Sequence, residues 1–139
     1  VPLVSEQWAK YKETLVQSGN PMPDTLPMMR ELYVAEDRET AYVESEPYLA
    51  PKYQAYASWG QDKALPGEES FNIPYQELAK DRFLLGSPEE VVQEIRRYEY
   101  ELDANYMIFR MQWPGMAQAQ VLRQIELLGQ EVIPRVKSV

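Results

Sequence analysis

Three side chains suited to ligand binding stand close together near the end of the chain: Arg110, Gln112 and Trp113. They follow a short apolar run, which would place them at the carboxyl end of a buried strand. A tryptophan there can form the wall of a substrate pocket, a glutamine amide can hydrogen-bond a ring edge or a carbonyl, and an arginine can supply positive charge beside a phosphate. The structural alternative is that Trp113 packs on Pro114 while Arg110 pairs with an acid such as Glu31.

Few other side chains of this sequence suit chemistry. The chain has no histidine and no cysteine, so it offers no imidazole base near neutral pH and no thiolate, and we expect no metal site. Asp37 follows the first predicted strand and is better explained as a helix cap than as a catalyst. Arg30 and Glu31 lie inside that strand and must be paired if they are buried. No glycine-rich phosphate motif occurs, and no catalytic residue is assigned.

The charge balance excludes several kinds of partner. The sequence has 22 acidic and 14 basic residues, a net charge of −8, and no cluster of lysine and arginine. This argues against nucleic acid or an anionic membrane surface as a partner. No apolar run approaches the roughly 20 residues of a membrane span. The absence of cysteine is consistent with a cytoplasmic protein.

The elements that would position Arg110, Gln112 and Trp113 have clear local signals. The sequence GSPEEV at residues 86–91 predicts a helix start, with a serine cap, proline at the first helical position and a glutamate that completes a capping box. The next apolar residues share one helical face, which should pack against a core: Val91, Ile95, Tyr98 and Leu102. The run 106–109 is apolar on both faces, so it predicts a buried strand of a parallel sheet.

The first half of the chain predicts a helix, a strand and an interrupted helix. The helix begins at a Ser5 cap and runs to about Ser18, and the strand covers residues 28–35. The next helix starts after Asp37 and either continues to Ser58 or breaks at its two internal prolines. The alternation in the strand gives it two faces: Met28, Arg30, Leu32, Val34 and Met29, Glu31, Tyr33, Ala35.

Residues 61–82 have the least regular pattern and predict an excursion between the two strand units. One or two helical turns are expected at 75–79, and a short extended piece at 82–85. The tyrosines between Tyr42 and Tyr56 have the spacing of a packing stripe. Helices that alternate with strands predict an α/β fold, here with two parallel strands.

The order and spacing of these motifs resemble the carboxy-terminal end of the luciferase-like flavin-dependent monooxygenases. The resemblance is carried by the GSPEEV helix start, the short apolar strand, the loop QWPGM at 112–116 and a final helix ending EVIP at 131–134, and it extends back to Trp8. It implies a TIM-type (β/α)8 barrel, of which residues 1–139 would form a single partial segment: the sixth helix and the seventh and eighth strands with their helices. Because such a barrel typically needs about 250 residues, we expect a piece of a longer polypeptide.

The same resemblance implies a function. The parent protein would use FMN or another reduced flavin with oxygen to oxidise a small organic substrate, and Arg110, Gln112 and Trp113 would line the cofactor or substrate site. A hydride-transfer enzyme that uses the deazaflavin F420 on the same fold is one alternative. A non-catalytic structural or oligomerisation module is another, because two strands leave unpaired edges and apolar faces. For that reason we also expect self-association.

Overall fold

A computed structural model describes residues 2–65 and 69–137. Six helices and three strands occur in these two ranges, together with a short 3-10 helix at Asp62–Ala64 and a π-helical turn at Leu128–Val132. In chain order the main elements are α1 (Pro2–Gln17), β1 (Pro27–Val34), α2 (Arg38–Ser58), α3 (Tyr75–Ala79), β2 (Phe83–Gly86), α4 (Pro88–Leu102), β3 (Tyr106–Arg110), α5 (Gln118–Leu127) and α6 (Ile133–Lys137).

The three strands form one parallel sheet in the order β2-β1-β3. The amino-terminal half of β1 pairs with β3, from Pro27 opposite Tyr106 to Glu31 opposite Arg110. Its carboxyl half pairs with β2, from Glu31 opposite Phe83 onward. The predicted α/β class and the parallel pairing of the two predicted strands are confirmed. The predicted number of strands is wrong, because the extended piece expected at 82–85 is a third strand.

Helices cover both faces of the sheet. The face of β1 that carries Leu32 and Val34 packs against the apolar stripe of α4, and the face that carries Tyr33 and Ala35 packs against α2 and α3. The two predicted faces of this strand are therefore confirmed. All four residues of the predicted α4 stripe are buried, and so is Val92.

The strand order of this chain differs from that of consecutive strands in a closed barrel. There, each strand lies between its neighbours in sequence, and the helices cover only the outer face. Here β1 lies between β2 and β3, and the crossover helices α2 and α4 lie on opposite faces. The described residues form an open three-layer arrangement, with part of one sheet face uncovered where Met29 and Ile108 are half exposed.

Two helices depart from one of their sequence signals. Helix α1 begins at Pro2, so Ser5 lies inside it and is not its cap. Helix α2 runs without a break through Pro47 and Pro51, which lie one turn apart. Both prolines are exposed, as is Val43, so the carbonyls left without an N–H partner at positions 43 and 47 can bond to water. Of the two predicted alternatives, continuation of the helix to Ser58 is confirmed and a break at the prolines is wrong.

The last helical segment continues beyond Pro134, where the sequence pattern placed its end. A π-helical turn at Leu128–Val132 joins α5 to α6, and the N–H of Ile133 bonds to the carbonyl of Leu128, five residues earlier. The wider turn precedes the proline and lets the chain remain helical past it. Val132, within this turn, is completely buried in the core beside α4.

The local start and stop signals of the other helices are confirmed. Ser87 accepts a hydrogen bond from the amide of Glu90, whose side chain accepts one from the amide of Ser87, which completes the capping box. Gly19 and Gly60 follow α1 and α2 with positive φ angles, as expected of helix stops. The predicted turns at 75–79 are α3. Residues 66–68, at the centre of the predicted excursion, lie outside the described residues.

Candidate functional site

The centre of the site is a buried carboxylate, that of Glu31 on β1. Only 7% of this residue is exposed. Its Oε2 accepts a hydrogen bond of 2.6 Å from Trp113 Nε1, and its Oε1 is paired with Lys52 Nζ from α2. Arg110 Nη1 lies 3.6 Å from the same Oε1. The carboxylate therefore joins the middle strand, α2 and the loop after β3, and it is paired as burial of a charge requires.

Trp113 is held on both its edge and its face. Its indole is 2% exposed and lies nearly parallel to the ring of Tyr33, at a centroid distance of 6.2 Å and an interplanar angle of 23°. With Nε1 bonded to Glu31, the ring has one fixed orientation at the carboxyl end of the sheet. Trp113 is therefore held rigidly as part of the core; its role in ligand binding stays a prediction.

The hydroxyl of Tyr33, whose ring stacks on Trp113, takes part in further side-chain hydrogen bonds. Its hydroxyl donates to Glu44 Oε2 at 2.9 Å and accepts a bond of 2.6 Å from Gln120 Nε2. Tyr48 donates to the other end of the same amide, at 3.0 Å. Burial, with the nearby Glu44 carboxylate, raises the pKa of Tyr33 to about 12. The phenol is thus a neutral structural group near neutral pH and is not a base.

A side-chain amide completes the edge of β1 where β3 does not reach. Gln124 of α5 is fully buried; its Oε1 accepts from the N–H of Val34 and its Nε2 donates to the carbonyl of Val34, both at 2.7 Å. The amide makes the two bonds that a neighbouring strand would make, so both backbone groups are satisfied. This contact fixes α5, and with it the loop that carries Trp113, against the carboxyl end of β1.

These contacts leave a groove of about 390 Å³ beside Trp113. Its walls come from the loop after β3 and from the carboxyl half of α2: Lys52, Ala55, Tyr56, Trp59, Arg110, Gln112, Trp113 and Pro114. All three predicted site residues line it. The structural alternative for Arg110 is present as well, because Arg110 pairs with Glu31. Trp113 packs in the core with Tyr33.

The contribution of α2 was not predicted from the sequence. Lys52, Tyr56 and Trp59 recur at intervals of three and four residues, which places them on one helical face. Lys52 is also the only basic residue between Arg38 and Lys63. A single lysine among the tyrosines of α2 was the sequence signal that could have indicated a buried ion pair. Its partner, Glu31, lies on β1 and could not be identified from the local sequence. The packing stripe itself is confirmed, since Tyr42, Tyr48, Tyr53 and Tyr56 pack on the core.

The other two predicted polar positions have structural roles. Asp37 caps α2 by accepting from the amide of Thr40 at 2.7 Å, and this backbone bond lowers the pKa of Asp37. Arg30 donates through Nε to the hydroxyl of Tyr98 at 2.9 Å, with its guanidinium over the same ring. Asp37 is thus the helix cap that the sequence indicated, and Arg30 is paired on the opposite face of the sheet from Glu31.

Two negative findings apply to the described ranges, 2–65 and 69–137. No group of three or more acidic, histidine or cysteine side chains is arranged there to hold a metal ion. None of the helices in those ranges combines the length and the apolar character that crossing a membrane requires.

Comparisons with known proteins give matches in structure only. No protein-family model matches the sequence, and no curated protein is similar to it. The fold matches the monooxygenase RslO1 from Streptomyces bottropensis with a TM-score of 0.63 and 18% identity, over 95% of this chain and 37% of that one.

A second match is a type II Baeyer-Villiger monooxygenase, the oxygenating constituent of 3,6-diketocamphane monooxygenase from the CAM plasmid of Pseudomonas putida, solved in complex with FMN. Its TM-score is 0.61 at 19% identity, over 93% of this chain and 38% of that one. The chain therefore spans little more than a third of the length of these structures. At such identities the comparison shows the fold: this chain is an α/β unit similar to part of two monooxygenases, one of which binds FMN.

Proposed function

We propose that this chain is one part of a flavin-dependent monooxygenase of the luciferase-like type, and that the groove beside Trp113 forms one wall of its flavin or substrate site. The observation that carries the proposal is the convergence of Arg110, Gln112 and Trp113 on one groove, at the point where β3 ends. Ligands of α/β proteins bind at that end of the strands. The structural likeness to two monooxygenases, one solved with FMN, supports the same assignment.

The groove suits a flat, partly polar ligand. Its volume of about 390 Å³ lies in the usual range of ligand pockets, about 300–1,000 Å³. The exposed indole of Trp59 offers an aromatic wall, and the exposed amide of Gln112 can bond to a ring edge or a carbonyl. Reduced flavin, when bound, would supply the reaction with oxygen; the residues of this chain would position the ring or the substrate and exclude water.

The proposal also includes the rest of the protein. The two monooxygenase structures that this chain matches are each more than twice as long as this chain. We propose that the uncovered part of the sheet, where Met29 and Ile108 are half exposed, is covered in the functional protein by further segments of the longer polypeptide or by self-association. The unpaired edge of β3 and these apolar side chains make such coverage favourable.

A flavin titration of matched variants tests the proposal. FMN fluorescence would be titrated with the longest natural polypeptide that contains this chain, and with its Gln112→Ala variant. Loss of one hydrogen bond should weaken FMN or substrate binding about 2- to 10-fold. Gln93→Ala is the control, because Gln93 is exposed on α4, on the other face of the sheet.

Three outcomes would contradict the proposal. The first is that the native polypeptide binds no FMN. The second is that the polypeptide binds deazaflavin in preference to FMN in a parallel titration. The third is that Gln112→Ala leaves both FMN and substrate binding unchanged, which would show that neither ligand binds in this groove.

A further inference from the structure

The groove contains more positive charge than its buried acid neutralises. Two cations, Lys52 and Arg110, approach the single carboxylate of Glu31. Lys52 is the closer, and its side chain is only 11% exposed, so these two groups form a nearly buried ion pair. The second carboxylate oxygen is occupied by Trp113 Nε1. Both oxygens of Glu31 thus have a strong donor before Arg110 is considered.

Among the residues that the structure describes, Arg110 has only weak partners. Its Nη1 lies 3.6 Å from Glu31 Oε1, which is longer than a hydrogen bond, and its Nη2 contacts the sulfur of Met29 at 3.8 Å, a weak acceptor. The side chain is 43% exposed and lines the groove. A planar guanidinium with free N–H groups beside an accessible groove is suited to bind a carboxylate or a similar oxyanion with two parallel hydrogen bonds.

The walls next to this guanidinium are aromatic. Trp59 is 68% exposed at the rim, although a tryptophan on the surface of a protein usually buries most of its ring. It lies 5.7 Å from the ring of Tyr56, and the indole of Trp113 forms the other side of the groove. The rings of Trp59 and Tyr56 offer apolar surface to a flat ligand, in the same groove as the guanidinium of Arg110.

We propose that the groove takes a planar aromatic substrate that carries a carboxylate or phenolate, and that Arg110 binds its anionic oxygen. The inference rests on the proposed function and goes beyond it by naming the class of organic substrate. Glu31 contributes indirectly, because it neutralises Lys52 and leaves Arg110 as the cation that faces the ligand. A neutral aromatic compound of the same shape should therefore bind more weakly than the anion.

A pair of probes that differ only in charge tests this selectivity. 2-Naphthoate and 2-naphthamide have the same ring, and each would be titrated by calorimetry into the native polypeptide saturated with FMN. A charge-assisted bidentate contact should favour naphthoate by about 10- to 100-fold. Arg110→Gln should remove that preference and leave naphthamide binding unchanged. Arg135→Gln should change neither, since Arg135 lies on α6 and pairs with Glu131.

Several results would overturn the inference. Equal binding of the two probes, or an anion preference that survives Arg110→Gln, would remove Arg110 from the site. If saturation with FMN abolishes naphthoate binding, the guanidinium serves the cofactor and the substrate assignment is wrong. FMN binding without any anion preference overturns this inference alone; anion preference without FMN binding overturns the proposed function. Arg110→Lys tests whether two parallel hydrogen bonds are needed. Lysine keeps the positive charge but lacks the planar guanidinium, so this variant should retain only part of the preference for naphthoate over naphthamide.

Discussion

Replacement of Lys52 by methionine would leave the carboxylate of Glu31 buried without its nearest cation. Methionine keeps most of the length and apolar volume of the lysine stem, so the change removes mainly charge. The carboxylate would retain the bond from Trp113 Nε1 and a weak interaction with Arg110 at 3.6 Å. We expect a large loss of stability, because an ion taken from water and left unpaired is much more costly than an exposed one.

The size of the effect follows from the burial of the pair. The two side chains are 11% and 8% exposed, and loss of one partner from such a pair costs about 3–5 kcal/mol of unfolding free energy. Part of that cost is recovered if Arg110 moves toward Glu31, so we expect about 3 kcal/mol. For a chain of this size the loss corresponds to a fall in Tm of roughly 10 °C. Urea unfolding followed by circular dichroism would measure it.

A double-mutant cycle shows whether the cause is the ion pair. Glu31→Gln removes the charge but keeps an oxygen that can accept from Trp113. When it is combined with Lys52→Met, the two effects should be non-additive by about 1–3 kcal/mol. The control is Lys10→Met, which breaks an exposed pair with Glu13 and should cost less than about 1 kcal/mol. Additive effects in the cycle, or a loss for Lys52→Met no larger than for Lys10→Met, would refute the reasoning.

Three other perturbations have expected outcomes. Gln124→Leu should cost about 2–5 kcal/mol in urea unfolding, because both buried backbone groups of Val34 lose their partner; a loss below about 1 kcal/mol would contradict the role of this amide as an edge partner. Ser87→Ala should cost about 1 kcal/mol through loss of the capping box, whereas the same change at exposed Ser58, near the end of α2, should cost less. Above pH 10 stability should fall, because burial raises the pKa of Tyr33 to about 12 while an unfolded tyrosine ionises near 10, so the unfolded state loses protons first; Tyr33→Phe should weaken this alkaline dependence in pH-resolved melting curves.

The parts of the fold that local chemistry determines could be predicted from the sequence. The start of α4 follows from Ser87, Pro88 and Glu90, because a capping box involves only residues within one turn. The two faces of β1 follow from strand alternation, which the structure confirms in two separate core clusters. The position of Arg110, Gln112 and Trp113 follows from the strand before them, since residues after a parallel strand lie at its carboxyl edge.

Features that depend on distant contacts were not predicted. β2 was predicted only as a short extended piece, because a run of four apolar residues has no periodicity that marks it as a strand; its place in the sheet comes from pairing with β1. The buried ion pair of Glu31 and Lys52 joins a strand to a helix, and the sequence around either residue does not indicate which residue is its partner. Gln124 has the sequence context of an ordinary polar helical residue; its burial follows from the backbone edge that it satisfies. The choice between a continuous α2 and a break at Pro47 was also open in the sequence, because it depends on whether the freed carbonyls are exposed to water.

The strand order provides the sharpest remaining test, because a closed barrel would arrange the same three strands differently. In the order β2-β1-β3, Met29 and Ile108 are directly opposite each other on neighbouring strands. Neighbouring strands are about 4.8 Å apart, whereas β1 and β3 would be about 9.6 Å apart if β2 lay between them. A disulfide requires Cα atoms closer than about 7 Å.

Cysteines at these two positions would therefore distinguish the two orders. The chain has no cysteine of its own, so Met29→Cys with Ile108→Cys creates one unambiguous pair. Both side chains are half exposed, which makes the substitutions tolerable and the thiols accessible to an oxidant. We expect an intramolecular disulfide, seen as a loss of two free thiols and two hydrogens in the intact mass of the monomer. Two free thiols after oxidation would mean that β2 separates the strands, as in a barrel. In that case the groove between α2 and Trp113 would not exist in the form described, because α2 and α4 would then share the outer face of the sheet.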